Sequence, residues 1–243
     1  MQPRQFMVSV LLVMGLLLAA AACGSGPTPT PTPEPELSLD EMLANAGAKL
    51  AAMSTANFRM IDEMQTGQKF FGTTLKTVEG DIRSPDSTRI LVDVEAPVMG
   101  FVVIEIVAIR DQAFMKLSRD APWLPLPLEQ VPFNFGRIGI TLSEMLIVMK
   151  DPVIMGPEPV GEYETIRIDG NVQSEDMSDL ITSVDPGHAI TLSFWFDETD
   201  QTMRQLRIDG QLFNDDAPET SRLVNMEFDV PVDIQLPDVA SRP

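Results

Sequence analysis

Cysteine and histidine are almost missing from this chain: Cys23 and His188 are single copies among 243 residues. One cysteine closes no intrachain disulfide, and one histidine beside it cannot furnish the common zinc sites. Stability must therefore come from a hydrophobic core. Aromatic residues are sparse, at 6%. Lysine and arginine form no cluster; 17 of them stand against 36 acids, for a formal net charge of -19. So acidic a surface repels phosphate backbones, which excludes nucleic acid as a partner. No nucleophile elbow, phosphate loop or dinucleotide fingerprint occurs. The chain reads as a non-enzyme with no metal and no cofactor.

Three isolated features bear residue types that can carry chemistry. His188, in Asp185-Pro186-Gly187-His188, reads as a solvated turn residue rather than a general base. Gly136-Arg137-Ile138-Gly139 reads as a turn. Glu105 interrupts the apolar run Phe101 to Ile109. It is either a headgroup contact or buried acid with a raised pKa, or a place where that strand meets solvent.

What the chain does have begins at its start. Phe6 to Ala22 carries no charge and follows Arg4, the charged-then-apolar layout of an export signal. The run closes in Leu18-Ala19-Ala20-Ala21-Ala22-Cys23-Gly24, which resembles the lipobox of bacterial lipoproteins. That resemblance implies cleavage before Cys23 and diacylation of its thiol. The competing reading is an uncleaved anchor, for which the run is short. Two acyl chains hold a protein stably where one does not. Residues 1–22 are thus expected to be a signal peptide, and 23–36 an acylated cysteine plus linker. In that linker Pro27-Thr28 to Pro35-Glu36 alternates proline, which holds extended polyproline II geometry at roughly 3.1 Å per residue. Losing Arg4 takes the net charge from -19 to -20.

Residues 37–237 then read as one domain, with 238–243 a tail. Ser38-Leu39-Asp40-Glu41 has capping-box spacing, and Leu39, Met42, Leu43, Ala46, Leu50 and Met53 recur at helical intervals. From Ala56 the period falls to two. Strands are predicted at Thr73–Ile82, Arg89–Glu95, Phe101–Ile109 and Gln112–Ser118, then at Glu164–Val172, Ala189–Phe196, Met203–Phe213 and Arg222–Val230. Phe101–Ile109 is apolar enough to predict cover on both faces. A second helix is predicted to open at the capping box Thr141-Leu142-Ser143-Glu144 and stop at Pro152, with a short third over Ser174–Ile181. This order predicts an α+β fold with one long antiparallel meander, which must curl to bury its apolar face. Fifteen methionines, three of them (Met1, Met7, Met14) in the leader, leave twelve in the body. They fit either a plastic apolar interior or ordinary core filling.

The chain from Leu37 to Pro237 is similar to the LppX/LprG family of lipoproteins, whose fold is related to the LolA and LolB carriers. The marks are Met53-Ser54-Thr55-Ala56-Asn57-Phe58 after the first helix, Thr77 to Asp81, Gln112 to Leu117 before Trp123, and Asp151-Pro152. Thr165 to Gly170, Phe194 to Asp197, and Val232 to Pro237 complete them. The resemblance implies a strongly curved antiparallel half-barrel, its concave face covered by helices and enclosing a cavity. It implies an acylated lipid or glycolipid as ligand, carriage within the cell envelope, and an envelope transporter as a partner. Placement on the extracytoplasmic side of the cell membrane, through Cys23, follows. An exposed sixteen-carbon chain costs about 12 kcal/mol, at roughly 0.8 kcal/mol per methylene, which a dry cavity offsets without chemistry. The candidate wall residues are Phe101, Val103, Ile104, Ile106, Leu142, Met145, Leu146, Met149, Ile190, Leu192, Phe194 and Phe196. The alternative is a scaffold lipoprotein acting through a protein partner, which predicts an exposed apolar patch and a filled interior.

Overall fold

The first helix, α1 (Leu39–Ala52), starts where the capping box places it: Ser38 Oγ accepts from the Glu41 amide, and the Glu41 carboxylate accepts from the Ser38 amide. Met42, Ala46, Gly47 and Leu50 form its buried stripe. The structure, a computed structural model, describes residues 37–239 apart from 67–68, 71–72, 97–99, 132–134 and 182–183. The leader, Cys23, the proline–threonine linker and residues 240–243 lie outside the described residues.

Beyond α1 the chain runs through β1 (Thr55–Asp62), β2 (Lys69–Phe70), β3 (Thr73–Arg83), β4 (Ser87–Ala96), β5 (Gly100–Ile109), β6 (Gln112–Lys116) and β7 (Leu124–Pro125). The second helix, α2 (Ile138–Val148), leads into β8 (Lys150–Pro157), β9 (Thr165–Gln173), β10 (Ala189–Asp197), β11 (Met203–Asp209) and β12 (Ser221–Phe228). All pair antiparallel in one curved, unclosed sheet of order β7-β6-β5-β4-β3-β1-β12-β11-β10-β9-β8, with β2 on β3. The predicted single meander is in fact two, joined where β12 returns to pair with β1.

Alternation assigns the two faces. Phe58 on β1, Val78 and Ile82 on β3, Ile90, Val92 and Val94 on β4, and Val224 and Met226 on β12 are buried on the face toward the helices. Each fully buried side chain of this kind contributes roughly 1.5–3 kcal/mol relative to exposure. The other face carries no helical layer among the described residues, and it is largely charged. Two glycines allow the helices to close on each other. A Cβ at Gly139 would collide with the Leu50 carbonyl oxygen, and one at Gly47 would press on Ser143.

Several elements differ from the expectations. The second helix begins at Ile138, not at the Thr141 capping box, because a 3-10 turn (Phe135–Arg137) feeds it; Thr141 is inside the helix and buried. Gly136 to Gly139 is therefore a helix entry and not a loop turn. β8 went unpredicted because Pro152 and Gly156 break its pattern; as an edge strand with two register shifts it tolerates both. The segment after β9 is a single 3-10 turn (Ser174–Met177). β11 stops at Asp209, since Leu212 and Phe213 turn inward to donate their amides to Asp216.

Candidate functional site

Between the helix layer and the centre of the sheet lies a hollow of about 50 Å³ with exclusively apolar side chains on its wall. Phe58 and Met60 come from β1, Val78 from β3, Leu206 and Ile208 from β11, and Val224 and Met226 from β12. Ile138 and Leu142 of α2 roof it with Leu180 and Ile181 from the turn after β9. Pairing builds this wall: Phe58 faces Met226 and Met60 faces Val224 across β1 and β12. A space of this size holds one or two waters, at ~30 Å³ each, where bound organic ligands occupy roughly 300–1,000 Å³. In the state described here the layers are nearly closed on each other.

Of the candidate wall residues, Leu142 lines the hollow. Met145 and Leu146 of the same helix, and Met149 just past its end, are buried but not part of the wall; Met149 lies against Gly170 of β9, and Leu146 approaches Gly47 of α1. Ile104 and Ile106 on β5, and Ile190, Leu192, Phe194 and Phe196 on β10, are buried on the helix-facing side away from the hollow. The Phe194 and Phe196 rings stack at 5.7 Å. Phe101 and Val103 are 79% and 44% exposed. Alternation puts them on the outer face, where both are open, whereas Glu105 and Val107 farther along that face are buried, so the expected cover on both faces holds for that end of the strand only. The residues that do build the wall belong mostly to β1, β11 and β12. Their alternation was visible, but the partnership of β1 with β12 was not.

The outer face holds two open, polar grooves. One, of about 510 Å³, includes Arg59, Tyr163, Trp195, Arg204 and Gln205. There Trp195 is buried between the Arg167 and Arg207 guanidiniums, 5.1 and 5.5 Å from its ring centroid, and Arg204 lies 3.8 Å from that of Tyr163. The other, of about 460 Å³, contains Glu105. This acid is neither solvent-facing nor raised in pKa. Burial alone would raise it, but hydrogen bonds from Lys116 at 2.7 Å and Arg89 at 2.8 Å outweigh that and hold it below the usual carboxylate range. Both grooves are larger than the hollow, but they are open and lined in part by charged side chains, unlike the hollow's wholly apolar wall. His188 is partly exposed, with Nε2 3.2 Å from Asn214 Oδ1. Among the described residues no three His, Cys, Asp or Glu side chains are placed to hold a metal ion. No helix among them is long and apolar enough to cross a membrane.

A curved, open antiparallel sheet with two helices packed over an apolar hollow is the architecture of a lipoprotein domain. The family model described as LppX_LprAFG lipoprotein matches residues 40–234, and the chain belongs to that family. Solved structures agree in fold. LprF from Mycobacterium bovis superposes with a TM-score of 0.63 at 13% identity, covering 82% of this chain and 96% of that one. The lipoprotein LppX from Mycobacterium tuberculosis gives 0.54 at 14% identity, over 82% and 100%. No curated protein matches the chain by sequence.

Proposed function

We propose that this lipoprotein binds acylated lipids or glycolipids between its sheet and its helices and carries them within the cell envelope, tethered through a diacylated Cys23. In this reading residues 1–22 are removed and 23–36 form the stalk. Residues 37–237 are the lipid-binding body, held on the extracytoplasmic side, with an envelope transporter as the partner that gives or takes the cargo. One observation carries it: the wall between the layers is wholly apolar and sits in the fold of a lipoprotein family. At about 50 Å³ the hollow admits no full tail, so binding requires α2 and the Leu180–Ile181 segment to lift from β1 and β12. Met60 and Met226 on the wall are unbranched, so they repack around tails of different shape.

Mass spectrometry of lipids extracted from the purified, non-acylated domain tests this. Acyl lipids in stoichiometric amount are the expected result. A protein that emerges empty and ignores fluorescent fatty-acyl probes would overturn the proposal. A second reading, a scaffold lipoprotein acting through a protein partner, is favoured by a specific patch. Ile147 is 80% exposed, and Val153 and Met155 of edge strand β8 are 54% and 58% exposed. Under that reading the domain stays empty, and Ile147→Glu abolishes capture of its partner.

A further inference from the structure

The helix-facing side of the sheet is apolar except at one end, where β1 finishes and β12 begins. There Asp62 stands opposite Arg222, and Arg222 stands opposite Ile208 of β11. Ile208, and Val224 two residues along β12 on the same face, both line the hollow. The arginine therefore occupies the next inward-facing position beyond the hollow's wall. It is only 4% exposed, as is Asp216, whose Oδ2 accepts from Arg222 Nη2 at 2.6 Å. The same Oδ2 accepts the Leu212 amide at 2.9 Å and the Phe213 amide at 3.3 Å. This leaves Arg222 Nη1, a donor, and Asp216 Oδ1, an acceptor, buried without a protein partner. Buried polar atoms are nearly always paired. The spare donor and the spare acceptor belong to the two partners of one buried ion pair, whose arginine lies one inward-facing strand position beyond the hollow's apolar wall.

Resting on the lipid-binding reading above, we propose that this end of the hollow receives the head of a single acyl chain bearing a free hydroxyl, as in a long-chain alcohol or a monoacylglycerol. The ligand oxygen accepts from Arg222 Nη1, and its own hydrogen goes to Asp216 Oδ1. Both spare atoms are then satisfied by one group that donates and accepts. A carboxylate fits worse, because it has no hydrogen for Oδ1 and meets the Asp216 and Asp62 charges. Asp62, 5% exposed, already accepts the Met64 and Gln65 amides at 3.2 and 2.8 Å. A methyl ester satisfies Nη1 and leaves Oδ1 bare.

The test is displacement of a fluorescent fatty-acyl probe from the whole mature chain carrying Cys23→Ser, which removes the tether's own acyl groups. The competitors are hexadecanol, monopalmitoylglycerol, palmitate and methyl palmitate. The hydroxyl-bearing pair should displace the probe at about tenfold lower concentration than the other two, the worth of roughly one good hydrogen bond in a dry site. The double variant Arg222→Met with Asp216→Leu, which removes both members of the ion pair together, should still bind the probe and lose the preference. If it does not fold, Arg222→Lys is the substitute; it keeps a cation for Asp216 but not the second donor fork, and the preference should again vanish. Equal displacement by all four competitors would overturn this inference and leave lipid binding standing, with the pair reduced to a clamp on residues 211–220. A preference that survives both substitutions overturns it as well. Failure of the probe to bind at all would remove the lipid reading itself.

Discussion

Asp200 gains most of its character from a single lysine. Burial works against its charged form, but the Lys49 ammonium at 2.9 Å and hydrogen bonds from Thr202 prevail, holding its pKa at about 2 against an ordinary 3.8. A carboxyl depressed in the folded state stabilises the fold fully above its unfolded value, and that contribution drains away as pH falls through the folded value. The contact ties the last turn of α1 to the β10–β11 turn, and both side chains are nearly half exposed, so the effect is modest. Lys49→Met should therefore be less stable than the parent above pH 4, with the gap closing toward pH 2. Denaturant titrations across that range check it. Leu142 supports a second prediction, for it alone among the sequence-derived candidates lines the hollow. Leu142→Trp should fill the space and cut acyl-probe affinity about tenfold or more, measured by fluorescence titration, since overfilling forces neighbours off their rotamers.

The helix pair depends on an absence of side chain. Gly139→Ala sets a Cβ against the Leu50 carbonyl, a backbone atom that cannot move without shifting α1. The expected cost is about 1–3 kcal/mol, read as a lower denaturant midpoint. Gly47→Ala meets only the end of the Ser143 side chain and should cost less. At this scale the chain was legible where a local rule was sufficient. Ser38 and Glu41 announced α1 because a capping box lies within four residues. Local pattern announced β3, β4, β9 and β10, and a nearly continuous apolar run announced β5, because which residues share a strand face is a matter of parity. Thr141 misled because a buried threonine inside a helix has the same spacing to Glu144 as a cap. β8 was hidden because an edge strand accommodates Pro152 and Gly156, which would break a central one.

At the scale of the whole molecule, the chain carries a formal net charge of -19 and a single cysteine, Cys23. If Cys23 is acylated, Cys23→Ser should move the protein from the membrane fraction to the soluble one on cell fractionation, while leaving lipid-probe binding by the body unchanged. Persistence in the membrane fraction would favour an uncleaved leader instead. High net charge of one sign keeps such a body soluble and away from anionic headgroups. Under the proposed lipid-carrier function, exchange would turn on apolar contact at places such as the exposed Ile147 and Met155, not on charge attraction.

Composition and periodicity by themselves determined an α+β chain built on antiparallel strands, stabilised without disulfides and lacking any recognisable catalytic pattern. They also placed Phe58, Met60, Val224 and Met226 on alternating strands. Only the tertiary structure decided that β12 returns to β1, which sets those four side by side under α2 and strands Arg222 and Asp216 at the end of their row. The reason is physical. Parity fixes which side chains share a face, but pairing between strands at opposite ends of a domain is decided by how the whole sheet buries its apolar side, and no local segment carries that information.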